Sequence, residues 1–462
     1  MMRSWMAQHS LLRNSGYIML TTGVNSGLGY VFWLVVAHAY PADRVGVAAA
    51  LIAAMTFIAA IANLGTSPAL IQLLPGARNE ADWSRTISTS IATGATAGFV
   101  IALLCALVIL PAISPSLAVT RASVSYVLLF SFGVALWSVS LISDYLFIAE
   151  RRSENMTARN FSFGVLKLAL VIAVPLFAAR SALSIFGSWV AGCALSLVLA
   201  YVLLMPRLRY RFTFSSRGTL AALRLSVRPY LGNYLTTLGN VIPFALLPIF
   251  VIARRSPADN AYFYVTWLLG GAFFTISSAV GSALFAEGTH DVERVDSLGR
   301  SAVKITAALL LPMMLLFFIA GHALLDLFGS RYSNHGGTLL ILLTVSAVPD
   351  AITNLYIARL RALDRLGFAA ATNLAMAAIT LGVAWLLLPP LGIAGAGVAW
   401  LAAQSAGSLA VFVDMTRRGR LRPGLRRGTT IPGHPARSHS TAAGVRSGAD
   451  EDDGAHPAPS KG

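Results

Sequence analysis

Apolar runs of about twenty residues recur along almost the whole chain, and they decide what it can fold into. One such run is long enough for an α-helix to cross the hydrocarbon core of a bilayer, which is roughly 30 Å thick. Backbone groups in lipid need internal hydrogen bonds, so each run is predicted to be a helix. We expect an all-α integral membrane protein with about twelve spans in two six-helix lobes. The predicted spans are 17–39, 46–74, 87–110, 123–148, 161–178, 183–204, 230–253, 262–285, 302–320, 338–358, 366–388 and 393–415.

Two stretches of the chain share a pattern at one fixed offset (257 − 41 = 216). Residues 14–51 are predicted to form an apolar helix, a short polar turn and a second apolar helix, and the arrangement returns from residue 230. Chance agreement between segments rich in alanine, leucine and glycine is the alternative, but the shared register favours a duplicated fold. Since each half has an even number of helices, the copies are expected to insert the same way up, as a parallel pseudo-two-fold repeat. Matching pairs are Gly16 and Gly232, Gly23 and Gly239, Pro41 and Pro257, Asp43 and Asp259, and Gly65 and Gly281.

Composition supports the membrane class. Of 462 residues, 56% are hydrophobic and 12% charged, against about 25% charged in soluble proteins. The net charge of +16 could suggest nucleic acid, but the basic residues mostly flank apolar runs, where they orient helices against the cytoplasmic leaflet. Cys105 and Cys193 lie inside apolar runs and are predicted to be packing residues. We expect no nucleic-acid partner, cofactor or metal.

Arginines concentrate in the even-numbered loops and at the termini, which places both termini in the cytoplasm and the chain in the inner (cytoplasmic) membrane. The first apolar run is long enough to be a retained helix, so no signal peptide is predicted. These arginines are Arg78, Arg85, Arg151, Arg152, Arg159, Arg207, Arg209, Arg211, Arg217, Arg359, Arg361 and Arg365.

The predicted organisation has four parts. Residues 1–205 form the N-terminal lobe and residues 229–415 the C-terminal lobe. A basic cytoplasmic linker, residues 206–228, joins them and includes an interfacial helix around 220–227. Residues 416–462 are rich in Arg, Gly, Pro and Ser without apolar periodicity, so this tail is predicted to be disordered.

Several motifs resemble bacterial polysaccharide transporters, the O-antigen-type lipid-linked oligosaccharide flippases of the multidrug/oligosaccharidyl-lipid/polysaccharide export superfamily. They are YPADRVGVAAAL at 40–51, ANLGTSPALIQLLP at 62–75, LFGSRYSNHG at 327–336, the ALDR turn at 362–365, Asn373, and LLPPLGIAGAGVAW at 387–400. The motifs are loose and mostly structural, so they identify the superfamily better than the substrate.

The resemblance implies two lobes around a central cavity, walled by the first, second, seventh and eighth helices. Such proteins are thought to move an undecaprenyl-diphosphate-linked glycan to the outer leaflet by alternating access. The lipid-linked glycan and membrane lipids are the implied partners, with polysaccharide polymerases or glycosyltransferases as further candidates.

Lys167 is the most conspicuous candidate for substrate binding, because it lies deep in the predicted fifth helix. It could contact the diphosphate, pair with Asp144 on the fourth helix, or snorkel to the interface. Asp144 is also a candidate for ion coupling.

Six other residues are candidate substrate contacts. Arg13 and Arg228 occupy the starts of the first helix of each half and could bind a diphosphate at the cavity mouth, although positive-inside anchoring explains them equally well. The amides of Asn25, Asn63, Asn233 and Asn240 could bind sugar hydroxyls or join helices.

Asp350 is the main candidate for ion coupling. It follows Pro349 near the middle of the predicted tenth helix, where a broken helix could expose carbonyls. A buried carboxyl there could respond to a proton or sodium gradient, or it could be a packing group.

Other functions remain open. An enzyme is not expected, since there is no phosphate-binding loop or nucleophile elbow and the external loops carry few acid or base groups. A multidrug cation antiporter should place several carboxylates inside its lobes, and a lipid II flippase several arginines along its first, second and eighth helices. A scaffold for polysaccharide-assembly enzymes is a fourth possibility.

Overall fold

The computed structural model describes residues 2–63, 66–176, 179–214, 231–290, 295–363 and 365–421. Side chains are described in these ranges except at 2–15, 18, 68, 72, 231–238, 240, 286, 289–290 and 418–421. The described chain forms twelve long helices: α1 Met2–Ala39, α2 Ala42–Ala62, α3 Glu80–Leu104, α4 Val124–Ala149, α5 Ser153–Ala173, α6 Ala182–Leu199, α7 Leu231–Arg254, α8 Pro257–His290, α9 Val295–Asp326, α10 Ser330–Ala362, α11 Leu366–Leu391 and α12 Ala394–Leu421.

Most of these helices suit a bilayer. Within the described residues, 11 helices are long and apolar enough to cross a membrane, and the shorter apolar segment Val241–Arg254 belongs to α7. The fold is therefore an all-α multi-pass membrane protein, as predicted. Cys105 and Cys193 are buried free thiols, as their apolar surroundings predicted.

Several helices start earlier than predicted; α9 and α10, for example, begin at Val295 and Ser330, against predicted starts at 302 and 338. Two other spans also differ. The span 46–74 is not one helix: α2 ends at Ala62, and a separate short helix occupies Thr66–Leu73. The fifth span was predicted to start at residue 161, but α5 starts at Ser153. Polar residues in its first two turns hid the start of α5, because they face other polar groups inside the bundle.

The predicted repeat is visible in helix packing. In the N-terminal half, α1 packs along α5 and α3 along α4; in the C-terminal half, α7 packs along α11 and α9 along α10. Pro41 is the N-cap of α2 and Pro257 is the first residue of α8. Proline suits both positions, because its missing N–H would have no partner in the first turn.

The two halves pack together at the end of the bundle that holds Pro41 and Pro257, which we call the hairpin end. The start of α2 lies against α7 and α8, and every residue from Val45 to Met55 is buried. Two ring pairs cross between the halves here: Tyr30 with Phe328 at 5.0 Å and Trp33 with Tyr264 at 4.6 Å between centroids. One apolar core, which contains residues from both halves, therefore closes this end.

Toward the opposite end, the buried apolar clusters each belong to one half. The cluster around Trp83 and Leu146 is N-terminal, and the cluster around Tyr356 and Leu360 is C-terminal. Helix α8 changes in the same direction: residues 260–270 are mostly buried, whereas residues beyond 271 are exposed along one face. We infer that the halves diverge away from the hairpin end, and we call the space between them the gap.

The first part of the linker is fixed to the N-terminal half. The Ser84 hydroxyl donates to the Arg211 carbonyl at 3.3 Å and accepts from the Thr213 amide at 3.2 Å. The ring of Tyr210 packs on Trp83. The interfacial helix predicted around 220–227 and the tail beyond residue 421 lie outside the described residues.

Candidate functional site

One face of α8 presents small and polar side chains to the gap. The exposed positions recur at helical spacing, so they form one stripe along the open part of α8. Helix α1 carries a similar exposed set. The α8 stripe is Ala272, Thr275, Ser278, Ala279, Ser282 and Ala283, and the α1 set includes Thr22, Gly23, Asn25, Ser26 and Gly27.

The exposed residues of other helices are of a different kind. On α9 they include Leu311, Leu315 and Ile319, which are 62%, 60% and 77% exposed. Large apolar side chains of this kind suit contact with lipid tails, whereas a hydroxyl-rich face suits water or a polar ligand. We infer that the α1 and α8 faces line a wet gap and that α9 faces lipid.

Hydroxyls on the α8 stripe are oriented by their own helix. Thr275 donates to the Gly271 carbonyl at 3.0 Å and Ser282 donates to the Ser278 carbonyl at 2.9 Å. Their donors are thereby satisfied, and their oxygen lone pairs remain available to accept. The stripe can therefore accept hydrogen bonds from a hydroxylated ligand.

A buried ionic network lies behind α1. Arg159 on α5 binds Asp144 on α4 through Nε–Oδ1 and Nη2–Oδ2 contacts of 3.0 and 2.8 Å. Its Nη1 donates to Ser140 at 2.7 Å. Asn160 then donates to Asp144 Oδ1 at 3.0 Å and accepts from the exposed Asn25 on α1 at 3.1 Å. The network thus connects the gap-facing surface of α1 to a charged pair inside the half.

The predicted pairing of Lys167 with Asp144 is wrong, since Arg159 occupies that carboxylate instead. The Arg159 side chain is only 2% exposed, so Arg159 is not the loop residue that we expected. A planar guanidinium can bind both carboxylate oxygens, whereas an ammonium offers a single point of charge. Sequence spacing alone did not reveal that Asp144 pairs with Arg159 and not with Lys167.

Lys167 lies among aromatic rings inside the N-terminal half. Its Nζ is 3.9 Å from the ring centroid of Trp189, 4.7 Å from Phe163 and 5.1 Å from Phe32. These rings come from α6, α5 and α1, and their π faces stabilise the ammonium. Lys167 is 4% exposed, so in this conformation it lies behind α1 and not on the gap surface. Its proposed contact with a diphosphate stays a prediction.

The C-terminal half contains a second polar cluster, which connects α8 to α10. The hydroxyl of Ser277 donates to Asp350 Oδ2 at 2.6 Å, and Asn354 Nδ2 donates to the same oxygen at 2.9 Å. Asp350 is 4% exposed, and within the described part of the chain no basic side chain pairs with it. Ser277 lies beside Ser278 of the gap-facing stripe, so this carboxyl is close to the gap. Its role in ion coupling stays a prediction.

Helix α10 is continuous from Ser330 to Ala362 through Pro349, so the break expected next to Asp350 is not present. The carbonyl of Pro349 accepts a hydrogen bond from Ser408 on α12 at 2.9 Å. Thr353, one turn later on α10, donates to Gln404 on α12 at 3.1 Å. These two hydrogen bonds connect the part of α10 around the proline to α12.

Of the other predicted substrate contacts, Asn63 is buried inside its own half, and the remaining side chains lie outside the described set. Asn63 is 4% exposed and lies against α3 and α4, where a Cβ atom at Gly94 would come within 2.5 Å of its Oδ1. It therefore lies inside the N-terminal half in this conformation and not on the gap. The backbones of Arg13, Asn233 and Asn240 are helical, but their side chains lie outside the described set, and Arg228 lies wholly outside it.

Sequence reasoning missed Arg159 and the α8 stripe. The signal for Arg159 was weak, because a basic residue near a helix end resembles a topological anchor. The stripe could have been found: Thr275, Ser278 and Ser282 recur at intervals of three and four within an apolar run, which is the spacing of one helix face.

Comparison with known protein families shows which family the chain belongs to. The model of a family described as "Polysaccharide biosynthesis protein" matches residues 11–282, more than half of the chain. The chain belongs to this polysaccharide biosynthesis protein family. A search of curated proteins found no match.

The chain shares its fold with transporters of known structure. An inward-facing multidrug resistance MATE family transporter of the MOP superfamily aligns with a TM-score of 0.69 and 16% identity, covering 88% of this chain and 99% of that one. The lipid II flippase MurJ, in an inward closed conformation, aligns with a TM-score of 0.69 and 12% identity, covering 86% and 87%. A MOP superfamily transporter from Pyrococcus furiosus aligns with a TM-score of 0.59 and 16% identity, covering 88% of this chain and 95% of that one. At these low identities the TM-scores show that the chain has the same fold as these proteins.

Proposed function

We propose that the protein moves an undecaprenyl-diphosphate-linked oligosaccharide or polysaccharide precursor across the cytoplasmic membrane by alternating access. The observation that carries this proposal is the small, polar face that α1 and α8 present to the gap between the halves. Membership of the polysaccharide biosynthesis family supports a glycan as the cargo.

The cargo makes specific physical demands. A diphosphate and several sugars must cross roughly 30 Å of hydrocarbon, while the polyprenyl chain stays in lipid. Removing charges and hydroxyls from water is costly unless other polar groups replace the lost hydrogen bonds. The acceptor lone pairs of Thr275 and Ser282 can bind sugar hydroxyls, and Asn25 offers an amide on the opposite wall.

The conformation suggests one step of the cycle. With the predicted orientation, the hairpin end is outside and the gap opens to the cytoplasm, where lipid-linked precursors are made. Closing the gap and separating the hairpin end would then expose the glycan to the outer side. Asp350 is our candidate for coupling this step to an ion gradient, because its charge is not neutralised by a described basic partner.

The decisive experiment is deletion of the gene in its host. Mass spectrometry would identify the lipid-linked glycan that accumulates, and a membrane-impermeant label would show its leaflet. We expect an undecaprenyl-diphosphate oligosaccharide on the cytoplasmic side. Accumulation of lipid II would instead indicate a lipid II flippase, and sensitivity to cationic drugs without any accumulation would indicate a multidrug antiporter.

A further inference from the structure

The two halves approach each other closely through backbone atoms at the hairpin end. Gly46, in the first turns of α2, is buried against the start of α8. A Cβ atom at this position would overlap the carbonyl oxygen of Pro257 and would lie 2.7 Å from its carbonyl carbon and 3.0 Å from the Ala261 nitrogen. These neighbours are backbone atoms and cannot swing away, so any larger residue would force the two helices apart.

A side chain from the opposite half reinforces this contact. Asn260 on α8 is fully buried, and its Nδ2 donates to the Gly46 carbonyl oxygen at 2.7 Å. Its Oδ1 is buried and has no hydrogen-bond partner in the described structure. A buried acceptor without a partner is unfavourable, so the amide is not an ordinary packing group. When the halves separate, water can reach both the amide and the Gly46 carbonyl.

Some of these contacts stabilise the closed hairpin end and one destabilises it. The backbone contact and the hydrogen bond between the halves stabilise the closed hairpin end, whereas the unpaired Asn260 oxygen opposes closure. The unpaired oxygen lowers the free energy needed to open the junction, because water can bind it once the halves separate. The positions are not related by the repeat: an offset of 216 places Gly46 on Tyr262 and Asn260 on Arg44.

We propose that Gly46, Pro257 and Asn260 form a latch that holds the hairpin end closed while the gap is open. The latch must release before a substrate can leave at the hairpin end. This inference rests on the proposed function only in requiring that the protein alternates between two states; it does not depend on which lipid-linked glycan is carried.

The test measures distance across the hairpin end. Spin labels are attached to Asp43→Cys and Arg331→Cys, which are exposed positions on opposite halves; both native thiols are buried. Gly46→Ala is introduced into the labelled protein in lipid vesicles. We expect the population with a long distance to rise several-fold, because the added methyl group cannot fit against the Pro257 carbonyl.

Asn260→Asp provides a second, nearly isosteric variant. At a pH high enough to ionise the new carboxyl, it replaces the donating amide with an oxygen that can only accept and that faces the Gly46 carbonyl, so it should also increase the long-distance population. Gly271→Ala is the matched control on α8, since an added Cβ there has no neighbour within 4 Å. The control should give the wild-type distribution.

Wild-type distance distributions in both latch variants would overturn the latch. A folding failure of Gly46→Ala would leave Asn260→Asp to decide. Glycan flipping is measured in the same vesicles, so that the two proposals can fail separately. If the latch variants shift the distance distribution but the protein moves no glycan, the latch is retained and the proposed cargo is rejected. If the protein moves glycan but the latch variants leave the distances unshifted, the cargo is retained and the latch is rejected.

Discussion

Arg159 and Asp144 form a two-point ion pair inside the N-terminal half, where Nε–Oδ1 and Nη2–Oδ2 are 3.0 and 2.8 Å apart. The arginine side chain is 2% exposed and the aspartate side chain 20%. Because α4 supplies one partner and α5 the other, the pair fixes the register of two neighbouring helices. Asn160 extends the network to Asn25 on the gap-facing surface of α1.

Replacing Arg159 with Met should destabilise the protein by about 3 kcal/mol, the lower end of the range for buried pairs, because the Asp144 carboxylate, which is 20% exposed, would be left without its cation. Thermal unfolding in detergent measures the loss. Arg152→Met is the control, since Arg152 forms an exposed pair with Glu154 and should change stability by about 1 kcal/mol or less. The double variant Asp144→Leu/Arg159→Met should lose less than the two single variants added together; full additivity would show that the pair is not coupled.

Lys167→Met should preserve the fold and reduce glycan flipping. Methionine has a similar length and fills the aromatic surroundings, and the lost cation–π contacts are worth about 0.5–2 kcal/mol. Flipping in vesicles is the readout, with Lys167→Arg expected to retain part of the activity. Lys304→Met removes an exposed lysine from α9 and serves as the control. Wild-type flipping by Lys167→Met would show that the charge of Lys167 has no part in transport.

Asp350→Asn should remove the dependence of transport on an ion gradient. The amide keeps the size of the carboxyl and can still accept from Ser277, so the packing between α8 and α10 is preserved. Flipping is compared with and without an imposed proton or sodium gradient. Asp326→Asn, at an exposed carboxyl near the hairpin end, should respond normally. An unchanged gradient response in Asp350→Asn would exclude this residue from coupling.

Ser282→Cys should react quickly with a membrane-impermeant thiol reagent, because the α8 stripe faces a wet gap. Ile319→Cys, on the apolar surface of α9, should react at least tenfold more slowly because it faces lipid. The native cysteines are buried and add little background. Equal rates at the two positions would contradict the assignment of the gap. Mass spectrometry of the labelled protein gives both rates.

Much of the fold could be predicted from the sequence, because a run of about twenty apolar residues has few alternatives to a membrane helix. The proline hairpins and their offset of 216 residues likewise indicated the repeat. Burial was harder to predict. Asn63 and Lys167 were predicted to contact the substrate, but whether they face the gap or the interior depends on helix rotation, which an evenly apolar sequence leaves undetermined.

The ion pair was missed for a different reason. Arg159 lies near the start of α5, where the positive-inside rule assigns arginines to loops, and only the position of Asp144 on the neighbouring helix shows that it is buried. Asp350 was easier to recognise, because a carboxyl in the middle of an apolar run has no topological explanation.

The carboxyl groups of Asp144 and Asp350 differ in how a membrane potential would act on them. Arg159 and Asp144 carry opposite charges that move together, so rocking the N-terminal half displaces no net charge through that pair. The carboxyl of Asp350 has no described counter-charge, and an elementary charge carried across 100 mV corresponds to about 2.3 kcal/mol. If Asp350 couples transport to an ion, as proposed, voltage would bias the C-terminal half according to whether that carboxyl is empty or occupied by a cation, whereas the Arg159–Asp144 pair carries no net charge for voltage to act on.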